Sequence, residues 1–200
     1  MHLPSALDIL AKPPVLLLTG AITLVIPLQM VGTLAPLGGT AGLVELQLTP
    51  DVDSYLEIVT AWGPAGRRAL ASHFSGDFIF MLAYALCGLG LLRRLTEPAQ
   101  PGPVTAGEDG TQQDSCPRAS GQSAPIRMAQ RLLPLPALIA ISDLAETLFH
   151  GLLLANWQAP SQAVLTLAYS LNVIKWSLAA LFLTLLLILL GARVARGSRG

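Results

Sequence analysis

The stretch Ala137–Trp157 constrains this chain more than any other. It reads ALIAISDLAETLFHGLLLANW, an apolar run of about the 20 residues that a helix needs to cross a bilayer. Yet it carries Asp143, Glu146 and His150. Spacings of three and four residues put all three on one helical stripe, with Ile139 a turn before them. A charge at the centre of a membrane helix costs about 2.5–3.5 kcal/mol on insertion scales. That stripe cannot face lipid, so it must turn inward and meet partners.

Composition agrees with a membrane setting. The chain is 52% hydrophobic and only 12% charged, with a mean hydropathy of +0.60, whereas soluble domains carry roughly 25% charged residues. Twelve Lys and Arg balance twelve Asp and Glu, so bulk charge points to no partner. No basic patch is interleaved with aromatics and no Gly-rich phosphate loop follows a strand, which excludes the common nucleic-acid modules. Cys87 lies in an apolar segment and Cys116 in a polar one; the pair predicts no disulfide and no CxxC site.

Four apolar segments predict an all-α, integral membrane, antiparallel four-helix bundle forming one domain, with spans at 15–34, 74–92, 137–157 and 163–191. The first also allows a cleaved signal peptide, because Thr33-Leu34-Ala35 is loosely like a cleavage site, but the run is long and its lead is barely charged. Pro27 is expected to kink this span, and Thr19 and Thr23 share one face from which they can bond backbone. Between the first two spans, residues 35–73 hold an amphipathic helix over 51–62, with Thr49 as N-cap, Val52, Tyr55, Leu56, Val59 and Trp62 at helical spacing, and Gly63-Pro64 as its stop. Residues 96–130 are rich in Pro, Gly, Ser and acids, a composition that predicts a disordered linker. Placing the N-terminus in the cytoplasm puts nine Lys and Arg on the inner segments and only Arg67 and Arg68 on the outer ones. That asymmetry predicts both termini and the linker inside.

Depth along antiparallel spans then says which side chains meet. Counted inward from the outer ends, Lys175 of the fourth span falls between Glu146 and Asp143 of the third, its hairpin neighbour. An ion cluster of Lys175 with Asp143 and Glu146 follows, because each charge alone is far costlier. Asp77 and Tyr84 of the second span, His150 of the third and Asn172 of the fourth complete a polar set concentrated toward the outer half.

Such a set has three readings. It can form a polar site, open to the outside, that binds or passes a small polar solute or a proton, with no cofactor and without enzymatic chemistry. It can serve a metal-assisted intramembrane enzyme, since Glu146 and His150 stand one turn apart and Asp77 can add an oxygen ligand; haem on His150 and His73 is a weaker variant, with His73 at the span's edge. It can also be a buried ion pair that only fixes which faces meet, in a structural or assembly subunit that engages a protein partner through the outer helix 51–62. Ser142 and Ser170 lack any nucleophile-elbow context.

Overall fold

The computed structural model describes residues 5–96 and 131–197. Of the linker expected over 96–130, Thr96 is instead the buried last residue of a long helix, its hydroxyl bonded to the Leu92 and Arg93 carbonyls, and 97–130 lies outside the described residues. Within them the chain is helical throughout, with no strand: α1 (Ala6–Leu10), α2 (Pro13–Val31), a 3-10 turn (Gly32–Leu37), α3 (Gly39–Gln47), α4 (Val52–Thr96), α5 (Leu135–Ala155) and α6 (Gln162–Gly197). Four of these helices are long and apolar enough to span a membrane: Pro13–Leu37 (α2 with the turn), Val52–Thr96, Leu135–Ala155 and Gln162–Ala195.

The 45 residues of α4 form two limbs. At Gly63 the backbone takes φ 61° and ψ −167°, a region that favours glycine because it lacks a Cβ. Pro64 follows and cannot donate to the preceding turn. The limb 52–62 is the expected outer helix; the limb 64–96 runs without a break through the predicted boundary at Phe74. The N-cap differs from expectation. Asp51 caps the helix, its Oδ1 accepting from the Ser54 amide at 2.9 Å, while the Thr49 hydroxyl turns back to the Glu45 carbonyl at 2.7 Å and closes α3. A carboxylate accepts amide protons at a helix start more strongly than a hydroxyl does. Pro27 sits inside α2 without ending it, and Thr19 and Thr23 spend their hydroxyls on carbonyls one turn back, at 2.8 and 2.7 Å.

The long limb of α4 packs against α5 and α6 on one side and α2 on the other, and α5 and α6 pair closely across the turn 156–161. The core is therefore a three-helix unit, α4–α5–α6, with α2 laid on α4. Thr19 is the only buried residue of α2, and Leu17, Leu18, Leu24 and Leu28 point outward. An α2 that is apolar on every side names no core face in the sequence, which is why its peripheral place was not foreseen.

Two apolar clusters bracket the unit. At the end where α5 turns into α6, the cap end, the 3-10 turn, α3 and the short limb fold over the helices. Leu37, Leu46, Tyr55, Val59, Leu153 and Leu165 are buried together there. The short limb is thus a lid packed by its apolar face on the bundle, and Gln162 ties it to α6 by accepting from the Val52 amide at 3.1 Å and donating to the Pro50 carbonyl at 2.8 Å. At the far end Leu92, Leu185 and Leu189 form a second cluster. There Arg93 donates to Asp8 at 2.7 Å, Arg94 to the Ala11 carbonyl at 3.3 Å and Arg193 to the Arg94 carbonyl at 2.8 Å, joining α1, α4 and α6. The Ser5 hydroxyl, and after it Arg93, hold the Asp8 carboxyl below the usual carboxylate range.

Candidate functional site

Between the two apolar clusters lies a polar band. The buried positions of α6 recur every three or four residues, Leu165, Ala168, Asn172, Lys175, then Leu185 and Leu189, so one stripe is polar in mid-course and apolar at both ends. The short turn 156–161 sets the register of α5 against this stripe. Lys175 Nζ lies 2.9 Å from Asp143 Oδ1 and 2.5 Å from Glu146 Oε2. Its ammonium thus bridges two carboxylates that occupy successive positions on one face of α5. From α4 the Tyr84 hydroxyl donates to Asp143 Oδ2 at 3.0 Å, so both oxygens of Asp143 are engaged. The Trp176 ring stands 5.6 Å from the same ammonium, within cation–π range.

Glu146 is satisfied on one side only. Its Oε1 is 4.0 Å from His150 Nε2, beyond hydrogen-bond distance. Glu146 is 1% exposed and His150 2%, yet Glu146 Oε1 and both imidazole nitrogens have no hydrogen-bond partner among the described residues. Asn172 repeats the pattern. Its amide donates to the Gln47 carbonyl of α3 at 3.2 Å, while its buried Oδ1 is unpartnered. The Tyr55 hydroxyl in the cap cluster is buried and unpartnered too. Most buried polar atoms in proteins find a partner, and one left alone costs about 1–3 kcal/mol. Several such atoms beside one fully paired lysine mark a place with spare hydrogen-bonding capacity.

Of the seven residues singled out in the sequence, the structure brings Tyr84, Asp143, Glu146 and Lys175 into contact and sets His150 beside them. Asn172 is one turn from Lys175 but bonds to α3. Asp77 stands apart: its nearest ionic partner is His73 on its own helix, 3.6 Å away, although Asp143, Glu146 and Lys175 lie within its electrostatic reach. Glu146–His150 and His73–Asp77 are therefore two separate pairs. Among the described residues no three His, Cys, Asp or Glu side chains converge as a metal-ligand group, so the ligand set of Glu146, His150 and Asp77 is not assembled. Ser170 is exposed and bonded to the Thr166 carbonyl. The buried cap cluster of Tyr55, Val59, Leu153 and Leu165 flanks the band on the side of the α5–α6 turn.

Gln47 and Tyr55 contribute here without having been recognised as site residues, and His73, read in the sequence only as a weak haem ligand, stands beside Asp77. The spacing of His73 and Asp77, four residues on one helix, was a readable signal. Nothing in the sequence marks the carbonyl of Gln47 or the fate of one hydroxyl on an amphipathic stripe.

Comparison with known protein families, with curated proteins and with solved structures gives no match. The site is read from its own chemistry.

Proposed function

We propose that this is an integral membrane protein, four times spanning, with both termini cytoplasmic, whose central polar band binds or passes a small polar solute or a proton. The four long apolar helices support insertion, and the nine-to-two bias of Lys and Arg supports the orientation. Reporter fusions after Gly102 and Gly200 are expected to read cytoplasmic and one at Gly39 to read external; a linker and C-terminus on opposite sides would exclude two crossings by α5 and α6.

One observation carries the functional reading: the unsatisfied edge of the cluster. Lys175, Asp143 and Tyr84 complete one another, whereas Glu146 Oε1, His150 and Asn172 Oδ1 keep buried atoms in reserve. A cluster built only to fix helix packing gains nothing from such atoms, since each raises the cost of folding. A site that takes up a proton or a small hydrogen-bonding solute recovers that cost on binding. The bilayer is the surrounding partner in this reading, and no cofactor is needed.

Reconstituted vesicles with an internal pH dye test the proton arm, and a thermal-shift screen of small polar solutes tests the other. Wild-type protein is expected to dissipate an imposed pH gradient or to gain stability with a solute. Glu146→Gln and His150→Ala are expected to lower that flux or affinity at least about tenfold, the worth of one charge-assisted contact. Flux equal to that of empty vesicles together with no stabilising solute would defeat the proposal.

A further inference from the structure

A second site stands at the cap end, away from the ion cluster. The kink at Gly63 turns the start of the long α4 limb toward the end of α5, and a groove of about 540 Å³ opens between them, within the size range of small-molecule clefts. Its walls are mostly apolar, including Pro64, Phe74, Leu154 and Trp157, and its charged members are Arg67 and Arg68. These are the only Lys or Arg residues between Lys12 and Arg93. The cap end carries Glu45, Asp51, Asp53 and Glu57 as well, yet neither arginine forms a salt bridge with any of them among the described residues. Arg67 is instead held in place by the Trp157 ring, 4.0 Å below its guanidinium, and by the Val59 carbonyl at 3.2 Å. Arg68 is exposed.

Two arginines lining one groove, one of them pre-oriented, suit a phosphate, because a planar guanidinium fork pairs two oxygens at once. Immediately beside them an apolar wall continues down α4 and α5 through Phe74 and Leu154. Trp157 sits between the charged rim and that wall, as interfacial aromatics do at the level of headgroups. We propose that this groove seats a phospholipid of net negative charge, with its phosphate on Arg67 and Arg68 and one acyl chain against Phe74 and Leu154. The inference rests on the membrane placement proposed above and not on the ion cluster. Charge complementarity selects the anionic headgroup; the apolar wall selects a lipid over a free anion.

The test uses the full chain in a neutral detergent, titrated with phosphatidylglycerol, with phosphatidylcholine of the same chains, and with inorganic phosphate. Melting temperature and tryptophan fluorescence are the two readouts, the second because Arg67 stacks on Trp157. Phosphatidylglycerol is expected to raise the melting temperature saturably, phosphatidylcholine to bind at least about tenfold more weakly, and phosphate to do nothing at matched concentration. Arg68→Gln is expected to weaken phosphatidylglycerol about tenfold, and Ala71→Trp, which fills the groove, to abolish the saturable part. Arg68 makes no internal contact that folding needs, so its variant keeps the test decisive if Arg67→Gln fails to fold. Lys12→Gln, at the opposite end, is expected to change nothing. Equal binding of the two lipids overturns the headgroup contact, an equal effect of phosphate overturns the lipid, and full binding in both Arg68→Gln and Ala71→Trp overturns the site. Vesicle flux separates this result from the function proposed above, because Arg68→Gln leaves the central cluster untouched.

Discussion

Lys175→Met is expected to destabilise the protein by about 3–5 kcal/mol, the cost of leaving a buried ionic partner uncompensated. The ammonium is the single positive charge between two carboxylates, 2.9 Å from Asp143 and 2.5 Å from Glu146, so its loss abandons both. Glu146 is the costlier of the two to abandon, being 1% exposed. Losing one carboxylate is milder. Glu146→Leu leaves Lys175 on Asp143, and Asp143→Leu leaves it on Glu146 while depriving the Tyr84 hydroxyl of its acceptor at 3.0 Å. The expected order of loss is thus Lys175→Met first, Asp143→Leu second, Glu146→Leu last. The double variant Lys175→Met with Glu146→Leu is expected to regain a good part of the single loss, because a buried pair replaced by apolar side chains of similar volume is often near neutral. Thermal unfolding in detergent, read as a double-mutant cycle, measures all of this. Small and additive losses throughout would mean that the lysine reaches water and that the cluster does not organise the band.

That cluster shows how far a sequence reaches and where it stops. The four long helices were legible because bilayer-length apolar runs are few and unambiguous, and the kink because Gly63 and Pro64 punctuate the chain together. The depth of Lys175 relative to Asp143 and Glu146 was countable because α5 and α6 are joined by only the residues 156–161, which leave little freedom of register. No comparable constraint links α2 or the short limb of α4 to the rest, and there the reading thins out. Asp77 lies two turns nearer the predicted outer end of its span than Tyr84, a shallower level than the cluster: its carboxylate is beside His73, and Tyr84 is what reaches Asp143. The α3 part of the cap was hidden for another reason. Residues 39–47, GTAGLVELQ, hold two glycines and no strong cap, so local preference barely favours the helix found there. Leu43 and Leu46, buried against the cap cluster, supply what propensity does not, and tertiary burial of that kind leaves little trace in a window of nine residues.

Gly42→Ala tests how α3 closes the cap, and its sign is the informative part. In an ordinary helix interior this exchange stabilises by roughly 0.5–1 kcal/mol, because glycine has more backbone freedom to lose. Here a Cβ at residue 42 would run into the Leu37 carbonyl oxygen, with the carbonyl carbon 3.0 Å away. That obstacle is backbone at the end of the 3-10 turn and cannot swing aside as a side chain tip does. Either α3 or the turn must move, and with it Leu37 and Leu46, each 1% exposed, lose their packing. A net loss of about 3 kcal/mol is expected, at the upper end of overpacking costs. Gly151→Ala is the matched control, since a Cβ there meets nothing within 4 Å, and it is expected to be neutral or mildly stabilising. Hydrogen exchange should locate the damage: amides of residues 32–62 exchange faster, while those of α5 keep their protection. The effect then passes inward, because displacing α3 takes the Gln47 carbonyl from the Asn172 amide and adds another unpartnered group beside Lys175. A Gly42→Ala protein that melts at or above the wild-type temperature would show that α3 does not close over the polar band as tightly as the Gly42–Leu37 approach requires.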